Sequence, residues 1–318
     1  MWQQLFWSVI KFLLILAFLS FNALFLVWLE RKVAGFIQYR LGPTRTGKPH
    51  GYLQTIADAI KLLSKEDIIP TQADRKVFIL APLVMIIPTL LLHIVIPFGP
   101  QLIVKDLQNG VLFFFAISGF TTLAIVMAGW AANNKYSLIG AIRAISQLIS
   151  YELPLIISVV AVVILAGSMS TETIVTSQAS WPYLFLQPLG FLVFMIAALA
   201  ELNRVPFDLL EAESELVAGY NTEYSGMRWA FFFLAEYGNI AVMSAMAVTL
   251  FLGGWQGPFL PPLVWFLIKT YLVAFVALWI RWTFPRVRPD QLSVLGWKYL
   301  LPASLVNLAF TSIYVVLV

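Results

Sequence analysis

Eight long apolar stretches, separated by polar connections, constrain this sequence more than any other feature. Hydrophobic residues occupy 60% of its 318 positions and charged residues only 11%. An ordinary soluble domain contains fewer hydrophobic and more charged residues. A helix needs roughly 20 apolar residues to cross a bilayer. We therefore predict an all-α polytopic membrane protein with a single membrane domain over residues 1–318. The predicted spans are residues 7–29, 77–98, 111–131, 138–166, 183–200, 229–252, 263–284 and 294–317.

The distribution of Lys and Arg predicts the orientation of these spans. Loops rich in Lys and Arg stay on the cytoplasmic side, and 17 of the 20 fall in the first, third, fifth and seventh connections. The alternate connections hold only Lys105. Both termini are therefore predicted to lie on the outer, periplasmic side. The net charge of +4 then reflects topology, so we expect the lipid bilayer and not nucleic acid as a partner.

The first cytoplasmic connection contains a second kind of helix, at about residues 51–65. Its apolar residues Leu53, Ile56, Ile60 and Leu63 recur every three or four positions, with polar residues on the opposite face. Fifteen residues are too few to cross the membrane, so this interfacial helix is predicted to lie along the membrane surface. It either caps the first spans or forms a polar wall over a cavity that opens to the membrane.

The residue types exclude a redox centre held by this chain alone through thiolates. There are no cysteines and two histidines, so an iron-sulfur cluster has no thiolate ligands here. No metal site is predicted. Any redox chemistry that this chain serves must use electron carriers in partner proteins.

Carboxylates are concentrated in one cytoplasmic connection, at about residues 201–228. Six of the sixteen acidic residues lie between positions 201 and 224, and others lie within the neighbouring apolar stretches. Ionisable groups inside membrane segments are functional candidates, because burying a charge there is costly. A series of carboxylates at increasing depth predicts a proton relay, although each could instead be paired with a basic residue such as Arg143, Arg204 or Lys269. The deepest is Glu152, about 20 Å along the fourth span.

A second group of candidates is basic and lies near the cytoplasmic ends of the spans. Arg31, Arg40 and Lys61 lie in the first connection, and topology alone explains part of this group. Arg281 is harder to explain by topology, because it interrupts the apolar run VALWIRWTF.

Several long motifs, in order, carry a resemblance to a known family. They read ERKVAGFIQYRLGP, ADAIKLLSKED, WAANNKYSLIGAIRAISQLISYE, AELNRVPFDLLEAESELVAGYNTEYSG, AEYGNI and LWIRWTFPRVRPDQL, and together they extend over nearly the whole chain. The sequence resembles the NADH dehydrogenase subunit 1 family of respiratory complex I. Bacterial members of that family belong to the proton-translocating NADH-quinone oxidoreductase.

That resemblance implies a role without a bound cofactor. Bacterial members of the family have about eight membrane helices in the inner membrane and form much of a quinone chamber together with soluble-arm subunits. Quinone is the substrate, while FMN and iron-sulfur clusters belong to partner subunits, and small membrane subunits are neighbours. The connection at 201–228 would couple quinone reduction to proton pumping.

The resemblance also assigns residues to the two parts of the site. The residues implied to line or border the quinone chamber are Arg31, Arg40, Asp58, Lys61, Glu66, Arg204 and Arg281. Those implied to form the proton path are Glu152, Glu201, Glu211, Glu213 and Glu236.

Two alternatives remain open from the sequence alone. The chain could be the homologous component of a membrane-bound hydrogenase or of a quinone oxidoreductase with another electron donor, although the motif that starts at Arg31 favours a quinone enzyme. It could also be a stand-alone ion transporter, which would be stable and active without soluble partners.

Overall fold

The computed structural model describes residues 2–210 and 213–317, except for the side chains of Trp2, Gln4, Glu213 and Ser214. Within these residues the regular structure is entirely helical. The α-helices are α1 (Trp2–Ile37), α2 (Gln54–Ser64), α3 (Arg75–Leu92), α4 (Gly110–Ala131), α5 (Lys135–Ala166), α6 (Thr171–Ser177), α7 (Tyr183–Leu186), α8 (Pro188–Glu201), α9 (Glu213–Leu216), α10 (Gly226–Phe251), α11 (Pro262–Thr283), α12 (Pro289–Val294) and α13 (Leu301–Leu317). Short 3₁₀ segments follow α3 and precede α10, and a π-helical segment joins α12 to α13.

Seven helical segments among the described residues are long and apolar enough to cross a membrane. They are α1, α3 with its 3₁₀ turn, α4, α5, α10, α11, and the continuous segment from α12 to α13. The predicted class, an all-α polytopic membrane protein, is confirmed. The fifth predicted span differs, because residues 183–200 form two helices that are separated at Gln187.

Pro188 explains this break. Proline lacks a backbone N–H and disfavours a helical conformation in the residue before it, but it fits the first turn of a new helix. Gln187 accordingly leaves the helical region, with φ −133° and ψ 59°, and Pro188 begins α8. Helix α8 is therefore a shorter apolar helix of 14 residues.

The predicted interfacial helix is present as α2 and lies against α1. Its polar side is tied to α1 by an ion pair of 2.5 Å between Asp58 and Arg31. Its apolar side chains Ile56, Ile60 and Leu63 are all exposed in the isolated chain. This arrangement agrees with a helix whose apolar face contacts lipid, and that contact stays a prediction.

Helix α10 is the centre of the bundle, packing against α1, α3, α8 and α11. Gly238 permits close contacts of α10 with α1 and α3. A Cβ atom at this position would lie 2.4 Å from Leu19 Cδ1 and 2.7 Å from Thr89 Cγ2. An added methyl group here would have to displace the side chains of Leu19 and Thr89 that pack over this glycine.

Replacing Gly238 with Ala is expected to destabilise the bundle by about 1–3 kcal/mol, the usual cost of overpacking a core. Gly119→Ala is the matched control, since a Cβ at Gly119 on α4 meets nothing within 4 Å. Thermal unfolding of the two detergent-solubilised variants measures the difference. Equal melting temperatures would contradict the close contact.

The connection between α8 and α10 is packed onto the bundle rather than solvated. Leu210 and Tyr220 are buried, and the ring of Tyr224 stacks on Phe78 at 4.0 Å between centroids. Gly140 on α5 lies close to the backbone of this connection, at Leu210 O and Gly219 Cα. The described part of the loop is thus fixed against α3, α4 and α5, and it positions the charged residues that it carries.

Candidate functional site at a buried charge cluster

Glu30, near the end of α1, is the centre of a buried charge cluster. Its side chain accepts from Arg281 Nη1 at 2.5 Å and from the Tyr237 hydroxyl at 2.7 Å, and Arg204 Nη1 lies 3.3 Å away. Glu30 is only 5% exposed. One carboxylate thus joins α1, α10, α11 and the connection after α8.

Arg204 is the most enclosed cation of this cluster, at 4% exposed. Its guanidinium carbon lies 4.5 Å above the ring of Tyr237, and its Nε lies 2.9 Å from Glu236 Oε1. Burial disfavours the charged guanidinium, but Glu236, Tyr237 and Glu30 together outweigh burial and hold the pKa of Arg204 above its ordinary value. Arg204 therefore stays charged in a buried position.

The hydrogen-bonding capacity of Arg204 is not used up by these contacts. Its Nε and Nη2 atoms are buried, and within the described residues neither has a hydrogen-bond acceptor. The 2.9 Å contact with Glu236 is therefore ionic and lacks the alignment of a hydrogen bond. Buried donors without acceptors cost about 1–3 kcal/mol each, so an acceptor from a bound water or ligand would stabilise the site.

A cavity of about 220 Å³ adjoins this cluster. It is lined by Glu30, Arg204, Ala218, Asn221, Trp229, Phe233, Glu236, Tyr237 and Arg281. Two carboxylates and two guanidiniums balance in charge there, while aromatic rings supply the remaining surface. Such a cavity can hold a polar ring by hydrogen bonds and stacking contacts.

Two smaller cavities continue from Glu236 toward Glu201. The first, about 30 Å³, is lined by both carboxylates and by Asn239. The second, about 20 Å³, also contacts Glu201 and Asn239, together with Ser118. Each has room for at least one water molecule.

Glu201 and Glu152 lie at the far end of this series. Glu201 Oε2 is buried and has no hydrogen-bond partner in the described part of the chain. Glu152 is close enough to Glu201 to interact with it electrostatically. The neighbouring helices are joined by Gln147, which donates to Ala200 O at 2.6 Å.

The structure brings some predicted site residues together and leaves others apart. Arg204, Arg281 and Glu236 share the large cavity, and Glu201 is connected to Glu236 by the small one. Away from this cluster, Arg31 pairs with Asp58. The three residues Arg40, Lys61 and Glu66 are exposed in the isolated chain. Glu211 and the side chain of Glu213 lie outside the described residues.

The alternative that each carboxylate forms an ion pair with a basic residue holds for some of the carboxylates only. Glu236 does contact Arg204, and Glu215 bonds Arg143 at 2.5 Å. Lys269 instead donates to three backbone carbonyls at the end of α10, those of Leu252, Gly254 and Gln256. Glu201 forms no ion pair with a described residue, and its Oε2 atom is buried without a hydrogen-bond partner among them, so pairing with a basic residue does not explain this carboxylate.

Glu30 and Tyr237 belong to the site, although sequence reasoning does not select them. Glu30 is the first residue of the sequence ERK. Composition alone indicates only that the first membrane span ends at these charged residues. Tyr237 directly follows Glu236 in the AEYGNI motif. A carboxylate at the end of a span, followed at once by two cations, is the signal that could have identified Glu30.

The exposed Arg31–Asp58 pair gives a prediction about stability. Side chains that are 41% and 36% exposed form a pair worth about 0.2–1 kcal/mol at most, because solvent screens it. Arg31→Gln is therefore expected to leave thermal unfolding nearly unchanged. A loss of several kcal/mol would show that the attachment of α2 depends on this pair.

Among the described residues, no group of three or more His, Asp or Glu side chains is arranged to hold a metal ion. The arrangement can instead bind a polar ligand beside charged groups and hold protons on buried carboxylates.

Comparisons with known proteins agree with the motifs. The family model described as NADH dehydrogenase matches residues 10–312. A relative from Dehalococcoides mccartyi (strain CBDB1), named as a subunit of NADH-quinone oxidoreductase, is 52% identical over 309 residues, covering 96% of this chain and 87% of the relative. A relative of the same name from Bacillus cytotoxicus is 50% identical over 310 residues, covering 96% and 92%. The chain therefore belongs to the NADH dehydrogenase family.

Proposed function

We propose that this chain is the membrane subunit of a proton-translocating NADH:quinone oxidoreductase, in which it forms much of the quinone chamber and the start of a proton path. The observation that carries this proposal is the buried cluster of Glu30, Arg204, Arg281 and Glu236, which adjoins a cavity and continues toward Glu201. Relatives that are 50% and 52% identical over the aligned residues carry that enzyme's name.

The cavity supports a chamber that other subunits complete. Its volume of about 220 Å³ is below the 300–1,000 Å³ of a typical small-molecule pocket, and it has room for a quinone ring rather than a whole isoprenoid quinone. Arg204 and Arg281 both line the cavity, and a guanidinium is a donor that suits a quinone carbonyl, which is an acceptor. Arg31, Arg40, Asp58, Lys61 and Glu66 would then border the chamber's entrance and its contact with soluble-arm subunits.

The small cavities support a proton path that begins at the chamber. Reduction of a quinone takes up protons, and it changes the charge beside Glu236 and Arg204. Water-sized spaces link Glu236 to Glu201, and Glu201 interacts electrostatically with Glu152. Protons pass along such a series when each carboxylate can take up and release one. Glu211 and Glu213 would feed the same path from the cytoplasmic connection.

The arrangement of basic residues supports the orientation in the membrane. The cluster and the connection at 201–228 lie at the Lys- and Arg-rich end of the bundle, which faces the cytoplasm by the usual rule. If α7 and α8 together form an eighth crossing, both termini then lie on the periplasmic side of the bacterial inner membrane. Soluble-arm subunits with FMN and iron-sulfur clusters would bind the cytoplasmic end, and small membrane subunits would flank the helices.

Purification of the tagged chain from its own membranes in mild detergent tests this proposal. We expect partners that carry flavin and iron-sulfur clusters, together with inhibitor-sensitive NADH:quinone activity. A nickel-iron partner would assign the chain to a hydrogenase instead. A chain that purifies alone and transports ions after reconstitution would replace the proposal with a transporter.

A further inference from the structure

A second buried polar site lies away from the charge cluster, between α1, α3, α10 and α11. A cavity of about 10 Å³ there is lined by apolar side chains and by Asn22, His93, Thr270 and Tyr271. Asn22 and His93 are each 1% exposed, and Thr270 is 6% exposed. Polar groups this deep in a membrane bundle are costly unless each finds a partner.

Two polar atoms of these residues are buried without a hydrogen bond in the described part of the protein, and the tautomer of His93 makes a third atom an acceptor. Asn22 Nδ2 and Thr270 Oγ1 are buried without a hydrogen bond. The Nδ1 atom of His93 lies 2.7 Å from Thr89 O. Since a carbonyl oxygen only accepts, Nδ1 carries the proton and Nε2 is left as an acceptor in the neutral ring.

These atoms suit a single water molecule. The cavity is at the lower limit of volume for one water and its surface is mainly apolar, so a water there depends on the few polar atoms at its edge, and a buried water normally makes two to four hydrogen bonds. A water there can accept from Asn22 Nδ2, donate to His93 Nε2 and bond the hydroxyl of Thr270. The Asn22 amide is already held in place, because the Tyr271 hydroxyl donates to its Oδ1.

Two separate hydrogen bonds at Thr89, one at its hydroxyl and one at its backbone carbonyl, lie between this site and the acidic cavities. The Thr89 hydroxyl donates to Asn239 Oδ1 at 2.9 Å, and Thr89 O accepts from His93. Asn239 lines both small cavities that contact Glu201. Polar groups therefore continue from Glu201 through Asn239 and Thr89 to His93.

The direction of this series of polar groups is away from the charged end of the bundle. His93 lies 18 residues after Arg75, which begins α3, so it is about 27 Å along that helix. Asn22 lies eight residues before Glu30 on α1, about 12 Å beyond the charge cluster. The site is thus on the far side of Glu236 and Glu201 from the basic connections.

We propose that Asn22, His93 and Thr270 bind a buried water molecule, and that Asn239 and Thr89 join it to Glu201 as a hydrated branch toward the outer half of the membrane. The binding of water rests on the geometry of this site alone. The role of the branch in proton movement rests on the proposed function.

The water site can be tested with an electron-density or cryo-EM map of the assembled complex. The map must resolve other buried waters. We expect a peak within hydrogen-bonding distance of Asn22 Nδ2 and Thr270 Oγ1, and we expect Thr270→Val to remove it. Thr249→Val is the matched control, because Thr249 is equally buried but donates only to Ala245 O on its own helix. An empty cavity in the wild-type complex would overturn the inference.

The branch is tested by measuring, in reconstituted vesicles, the number of protons translocated per NADH oxidised. We expect Thr270→Val and His93→Phe to lower this ratio and Thr249→Val to leave it unchanged. If Glu201→Gln lowers the ratio but the two site variants do not, the branch is wrong and the acidic path stands. If Glu201→Gln has no effect either, the proposed proton path fails, while the map still decides whether the water is bound.

Discussion

Glu30→Gln is expected to destabilise the assembled protein and to lower NADH:quinone activity strongly. Glu30 is the shared acceptor of Arg204, Arg281 and Tyr237, and glutamine would leave two guanidiniums close together without their common anion. Breaking a buried ion pair by removing one partner costs about 3–5 kcal/mol. Glutamine would also displace guanidiniums that line the proposed chamber, and we expect quinone turnover to fall about tenfold, which corresponds to about 1.4 kcal/mol of transition-state stabilisation.

Two further variants distinguish the effect of losing the charge balance in the cluster from a nonspecific effect of replacing a glutamate. Glu172→Gln on α6 is the control, since Glu172 is outside the charge cluster and forms no ion pair with a described residue. The double variant Glu30→Gln with Arg281→Gln removes one charge of each sign. It is expected to recover much of the melting temperature but not the activity. A single variant as stable and active as the Glu172→Gln complex would show that Glu30 does not hold the cluster together.

The overall architecture could be predicted because local composition determines it. Membrane helices are recognisable by length and hydropathy, and the period of apolar residues identified α2 within three residues at its start and one at its end. The prediction failed for the fifth span, where a proline interrupts the helix. Hydropathy does not detect this local effect. Pro188 is compatible with an apolar stretch and still ends the helix before it.

The centre of the site could not be predicted in the same way. Glu30 contacts Arg204 and Arg281, which are 174 and 251 positions away along the chain. No local pattern specifies such contacts, since they follow from how α1, α10 and α11 pack. The same holds for the water-sized site at Asn22, His93 and Thr270, whose members lie on three different helices.

Glu201→Gln is expected to reduce proton translocation without destabilising the protein. Glu201 lines two water-sized cavities and has an unpartnered buried oxygen, so glutamine keeps its shape and removes a costly charge. The amide cannot take up and release a proton. A relay step that loses its acid–base group slows by about 10²–10⁴-fold.

Glu236→Gln provides the comparison that makes this result specific. Glu236 contacts the buried Arg204, so its loss is expected to lower stability as well as proton translocation. Glu201→Asp keeps a titratable group and should retain part of the translocation that Glu201→Gln loses. The measurements are proton translocation per NADH in reconstituted vesicles and the melting temperature of each complex. Full translocation in Glu201→Gln would contradict the proposed path, because no other described carboxylate lines both small cavities.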